Sequence, residues 1–261
     1  SRGLGDVYKR QLVQTAIVPL CPAANMLQAE QLMNTMPDAD VYVLPETWST
    51  GFCTEPGTPW PDADEALRWM KNQAALRQAA LVGSLVVNAA DGLKYNRLYF
   101  VRPDGSTTHY DKRHLFAYGG EDRCFLTGKQ AVVAEWKGVR FMLQICFDLR
   151  FPESARNRLS LPPYDVLVYV ANWPASRRKA WDALLPARAI ENQVYVVGVN
   201  RAGYHTAENA DASSVYDGGS AACDAFGNRL LQLGDKAECR IIEVNTDALH
   251  RFRKAFPVLI P

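Results

Sequence analysis

Histidine is scarce in this chain of 261 residues, and its cysteines stand apart from one another. Only His109, His114, His205 and His250 are available, with no His-x3-His spacing and no CxxC, so no zinc site is expected. The six cysteines, at 21, 53, 124, 146, 223 and 239, are scattered too widely for a disulfide framework. No apolar run approaches the ~20 residues of a membrane span, and no secretory h-region is visible at the start. An excess of one charge is missing too. The formal net charge is +1 with no run of five like charges, which leaves nucleic-acid and membrane-surface binding without electrostatic support. A soluble, cytoplasmic protein with free thiols is the expectation.

What is present is enough apolar material for a sizeable core, at 48% of residues. The opening SRGLGDVYKRQ carries no core pattern. Residues 1–11 read as a non-native N-terminal segment, and residues 12–261 as one domain. From Leu12 onward strands and helices alternate. LVQTAIVPL is β-rich, and Met26, Ala29, Met33 and Met36 recur at helical spacing before Pro37. DVYVLPE is a short apolar strand. Ala63, Leu67, Met70 and Ala74 share one face of a second helix, followed by the strand ALVGSLVV. Pro103-Asp104-Gly105 and Lys137-Gly138 each supply a hairpin turn. DVLVYVANW and NQVYVVGVNR are near-continuous apolar strands, as expected where both faces of a sheet are covered. The helix between them, SRRKAWDALLPARAIE, is interrupted by Pro186. A hairpin and the strand ECRIIEVN complete a single α/β domain with a mixed sheet.

Three polar groups stand where apolar runs stop: Glu46 after VYVLP, Lys112 after STTHYD and Cys146 after FMLQI. Such side chains project from a rigid sheet into a loop-shaped crevice. Each has a bland alternative, as a cap, a solvated turn charge or a packed thiol. Together they suit one reaction. A thiol is a weak nucleophile until a base takes its proton, a carboxylate can be that base, and an ammonium can stabilise an oxyanion.

The segments LPETWSTGF, YDKRHLF and CFDLRFPE, in that order, resemble the three signature segments of the nitrilase superfamily of carbon–nitrogen hydrolases. The similarity continues through ANWPASRRKAWDALLPARAIENQVYVVGVNR. It implies a four-layer α-β-β-α sandwich of the nitrilase type, a homodimer paired through helices, and no metal or organic cofactor. It also implies that Cys146 is the nucleophile, Glu46 the base, and Lys112 with the backbone N–H of Phe147 the oxyanion hole. Glu121, seven residues before Gly128, matches the family's second glutamate. The segments are most similar to the omega-amidase branch, whose substrates are small carboxylate-bearing amides such as 2-oxoglutaramate and 2-oxosuccinamate. A carbamoyl compound, a nitrile or a non-catalytic scaffold role are the alternatives. A far carboxylate needs a cation or several donors, and Arg150 is the candidate, with an ion pair to Asp148 or Glu153 as its structural alternative. Trp173 and Phe52 are candidate pocket walls, with core packing as the alternative for each, while Arg188 and Glu191 read as structural. Two departures stand out: Pro186 within the helix, and an end at FPVLIP earlier than this branch leads one to expect.

Overall fold

The computed structural model describes residues 7–55, 57–89, 92–157, 163–204 and 215–259. Its strands are β1 (Val7–Gln14), β2 (Val41–Val43), β3 (Ala80–Asn88), β4 (Lys94–Val101), β5 (Thr107–Asp111), β6 (Val133–Trp136) and β7 (Val139–Ile145). They continue with β8 (Val166–Ala171), β9 (Tyr195–Asn200), β10 (Ala202–Tyr204), β11 (Val215–Asp217), β12 (Ala221–Cys223), β13 (Arg229–Gln232) and β14 (Glu238–Asn245). The helices are α1 (Pro22–Asn34), α2 (Ala63–Arg77), α3 (Arg178–Asn192) and α4 (Thr246–Ala255).

Alternation along the apolar strands builds the layers. Leu12, Val41, Val43, Phe141, Leu143, Val166 and Val168 point into one core between two sheets. Their neighbours Val13 and Tyr42 pack with α1 and α2, while Met142, Leu167 and Tyr169 pack under α3. A strand apolar on both faces must be covered on both, and the result is the α-β-β-α sandwich. The single mixed sheet read from the strand pattern is thus two six-stranded sheets, ordered β14-β1-β2-β3-β4-β5 and β13-β12-β9-β8-β7-β6.

Strand sense positions the site. In the first sheet β1, β2 and β3 are parallel, and β5 runs with them because two antiparallel steps, β3 to β4 and β4 to β5, restore the direction. In the second, β7, β8 and β9 are parallel. The carboxyl ends of β2, β5, β7 and β8 carry Glu46, Lys112, Cys146 and Asn172 within three residues of each strand's last residue. Crevices at such ends are where open α/β sheets bind ligands.

The expectation for the N-terminus needs correction. Residues 7–11 belong to the fold: β1 starts at Val7 and pairs with β14 from Val7 opposite Asn245 to Gln14 opposite Glu238. Lys9 and Arg10 disguised the strand. Arg10 is buried with its guanidinium over the rings of Tyr8 and Phe141, at 5.2 and 4.9 Å. Residues 1–6 lie outside the described residues. Pro186 does not interrupt α3, which is continuous around it. Its missing N–H leaves the Asp182 carbonyl free of a helix partner, and Arg229 Nη2 donates to that oxygen at 2.7 Å. Helix α4 went unread, although Asn245 caps it by accepting from the Ala248 N–H at 2.8 Å.

Candidate active site

Glu46, Lys112, Glu121 and Cys146 come together at the carboxyl edge of the two sheets. Lys112 Nζ donates to Glu46 Oε1 at 2.9 Å and to both Glu121 oxygens at 2.9 Å. The three side chains are 1%, 1% and 0% exposed, so the triad is an ion cluster shielded from water. Burial would lower the Lys112 pKa, yet Glu121 and Glu46 outweigh it and hold the ammonium well above its ordinary value. For Glu121, burial raises the carboxyl, Lys112 opposes and Glu46 adds to the rise.

Local backbone fixes each member. Lys112 follows β5, its N–H bonded to Asn96 O and its carbonyl to the Gly128 N–H. A Cβ at Gly128 would lie 2.0 Å from the Asp111 carbonyl oxygen, so only glycine allows that approach. Glu121 sits on a short turn and accepts the Phe116 N–H at 2.7 Å. Glu46 accepts from Asn96 Nδ2 at 2.8 Å and from the Asn172 N–H at 2.7 Å. The next residue, Thr47, is left-handed, and its N–H bonds to Ser84 Oγ at 2.7 Å.

Cys146 opens a short helical turn, Cys146–Arg150, directly after β7, and holds φ at +47°. A non-glycine residue in that region is strained and persists only where its surroundings enforce it. Asp148 enforces it here. Fully buried, it accepts from the N–H of Ile145 at 2.9 Å, the hydroxyl of Tyr110 at 2.8 Å and the N–H of His114 at 3.0 Å, and bonds to His114 Nδ1 at 2.7 Å. From below, Arg188 Nη2 donates to the Leu149 carbonyl at 2.6 Å. Asp148→Ala should orphan several buried donors and destabilise the fold by at least about 3 kcal/mol. A loss under about 1 kcal/mol in urea titration would mean the turn is held by something else.

The thiol lines a cavity of about 390 Å³. Burial and then the Glu46 carboxylate raise its pKa well above 9.0, with Lys112 opposing, so the resting sulfur holds its proton. The Phe147 N–H, next along the turn, has no acceptor among the described residues. Lys112 has three N–H groups. Glu46 takes one, and the Glu121 carboxylate can share a second. A third remains for an oxygen in the cavity. The arrangement can therefore deprotonate a thiol during attack and receive a developing oxyanion.

Phe52 and Trp173 both border this cavity. Phe52 lies with its ring centroid 5.6 Å from Lys112 Nζ, and Trp173 lies beneath Arg150, at 5.3 Å. Phe147 and Arg150 line it too. Among the described residues Arg150 pairs with neither Asp148 nor Glu153, because Asp148 is taken by His114. Among the described histidines, His114 stacks on Phe151 at 3.9 Å and His250 bonds to Asp165 at 2.9 Å, while His109 is exposed. His205 lies outside the described residues. Asn96, Asn172, Phe116 and Arg177 were not singled out in the sequence. Asn96 and Asn172 carried a signal, as polar residues within or directly after apolar strands.

The model of the family described as carbon-nitrogen hydrolase matches residues 11–254. The chain is 39% identical to omega-amidase YafV of Yersinia enterocolitica over 253 residues, covering 97% of this chain and 95% of that protein. It is 30% identical to the 2-oxoglutaramate amidase of Bacillus subtilis over 241 residues, covering 91% and 90%. A superfamily protein of Xanthomonas campestris, crystallised with an arsenic adduct in its active site, superposes with a TM-score of 0.90 at 35% identity, covering 98% of this chain and 97% of that one. With the fold, the buried cluster and these similarities in hand, the chain belongs to the carbon–nitrogen hydrolase family.

Proposed function

We propose that this amidohydrolase cleaves the terminal amide of a small carboxylate-bearing amide, of the 2-oxoglutaramate or 2-oxosuccinamate type, through a thioester on Cys146. The observation that carries the reading is the Glu46–Lys112–Glu121 cluster buried behind a thiol at the floor of a small cavity. Sγ attacks the amide carbon while its proton passes to Glu46. The carbonyl oxygen gains the charge and is met by the third Lys112 N–H and the Phe147 N–H. The C–N bond breaks as Glu46 returns the proton to nitrogen, and ammonia leaves. Water then adds to the thioester, giving its proton to Glu46, and the thiol is restored as the acid departs. Asn96 and Asn172 keep the Glu46 carboxylate aimed throughout, and Glu121 holds Lys112 in place.

The substrate class rests on the similarity to omega-amidases and on the cavity. Its volume lies at the small end of ligand pockets, and Arg150 offers a cation without a carboxylate partner among the described residues. Ammonia release over a panel of 2-oxoglutaramate, neutral short amides, carbamoyl compounds and nitriles tests the reading. The carboxylate-bearing amide should be preferred at least about tenfold in kcat/KM. Preference for a carbamoyl compound or nitrile would overturn the substrate class and leave the cluster's chemistry standing.

A homodimer is part of the same reading. Ile190, Phe226 and Phe256 are 54%, 61% and 58% exposed around α3 and α4, a patch whose burial a partner helix pair would favour. Sedimentation analysis should find twice the chain mass, and a monomer at micromolar concentration would refute it. Cytoplasmic residence is supported by six cysteines that are all free. Secretion into an oxidising compartment, detected by fractionation, would contradict it. Among the described residues no helix is long and apolar enough to cross a membrane.

A further inference from the structure

Three cations line the cavity, and they differ in how they are occupied. Lys112 is paired with Glu46 and Glu121 and has its remaining N–H assigned to the oxyanion. Arg150 is exposed above Trp173. Arg177 is half-buried, its guanidinium 5.1 Å from the ring of Phe116 and 5.3 Å from that of Tyr118. Among the described residues no carboxylate or carbonyl accepts from that guanidinium. Its neighbour Arg178, one residue along, pairs with both Asp182 and Asp217. Even Glu55, which also lines the cavity, makes no ion pair with Arg177 among the described residues. The cavity thus keeps one partly desolvated guanidinium with its donors unspent.

We propose that Arg177 receives the far carboxylate of the substrate and sets the preference for acidic amides. The inference rests on the omega-amidase reading and names the residue that reads the acid. A guanidinium laid against aromatic rings keeps its edge N–H groups free for a two-point bond to a carboxylate. The rings limit its rotamers, so less freedom is lost on binding. Partial burial strengthens the charge pair compared with one in open water. Trp173 Nε1 donates to the Arg177 carbonyl at 2.9 Å, tying that backbone to the wall beneath Arg150. Phe116 joins the two ends of the site, since its ring supports Arg177 while its N–H holds Glu121. Arg150, outermost of the three, attracts the anion toward the mouth.

Steady-state kinetics on the full-length enzyme, with 2-oxoglutaramate, butyramide and the amine-ended 4-aminobutanamide, test this. Arg177→Leu should lower kcat/KM for 2-oxoglutaramate about ten- to a hundredfold, carried mainly by KM. Its rate on butyramide should stay within about twofold of the parent, since uniform binding of the amide end is untouched. Arg177→Lys should recover part of the loss, and Arg177→Glu should shift preference toward the amine-ended amide. Equal losses on both amides would make Arg177 a structural residue and overturn the proposal. So would Arg150→Leu abolishing the acid preference while Arg177→Leu keeps it. A parent enzyme that prefers butyramide would overturn the omega-amidase reading and this assignment together. A parent that prefers the acid, with an unchanged Arg177→Leu, would overturn the assignment alone.

Discussion

Cys146→Ala should lose amide hydrolysis by on the order of 10⁴-fold or more, the scale on which an essential nucleophile is missed. The substitution removes one sulfur from a half-buried position and leaves the Asp148 and Arg188 bonds that hold the turn. Fold and oligomeric state should therefore survive. The pH response of stability should change in a stated sense. The folded thiol has its pKa raised by burial and by Glu46 above the ordinary 9.0. A group raised in this way contributes stability that is complete below the unfolded value and lost as pH climbs past it. Stability of the parent should thus fall above about pH 9, and the alanine variant should lack that part of the fall. Iodoacetamide is itself a small amide, and Glu46 stands ready to take the thiol proton as Sγ attacks, so one equivalent should inactivate by labelling Cys146. Ammonia release by Cys146→Ala within tenfold of the parent would remove the thiol from the chemistry.

Lys112→Met should cost both activity and stability. Losing one oxyanion donor lowers kcat by about 10²–10³-fold. Glu46 and Glu121, 1% and 0% exposed, would then face each other without their shared cation. Breaking a buried ion cluster by deleting one partner costs about 3–5 kcal/mol. The pH dependence again has a fixed sign. Burial already raises the Glu121 carboxyl above 4.5, and only Lys112 and hydrogen bonds oppose it. Without Lys112 the folded carboxyl rises further, so the variant should lose stability as pH climbs above about 4.5 and regain it on acidification. Unchanged denaturation midpoints across that range would show that the carboxylates are not coupled through Lys112.

Much of this site could be read from strand ends. Glu46 and Cys146 each terminate an apolar run and Lys112 follows a β-prone one, and strands of common sense bring such ends to one edge of a sheet. The groups that aim them were less visible. Asn96 sits inside an apolar strand and Asn172 directly after one, where a polar residue signals a buried partner without naming it. Asp148 stood in plain view beside Cys146, yet its partners Tyr110 and His114 come from another segment, across the space between the sheets. Arg177 looked like one charge among several, and only the placement of Phe116 and Tyr118 separates it from the ion-paired Arg178. The start of β1 was missed because Arg10 reads as surface charge, whereas its guanidinium is stacked on Phe141. The two sheets were not separable from strand pattern alone, since a strand covered on both faces looks the same in one sheet or two.

The central claim is that Cys146 carries the acyl group between loss of ammonia and attack by water. Acid quenching during turnover of radiolabelled 2-oxoglutaramate, followed by peptide mapping, tests it most directly. The label should appear on the peptide containing Cys146 and be released by hydroxylamine, as a thioester requires. Label on any other cysteine peptide, or an adduct on Cys146 that hydroxylamine does not release, would contradict it.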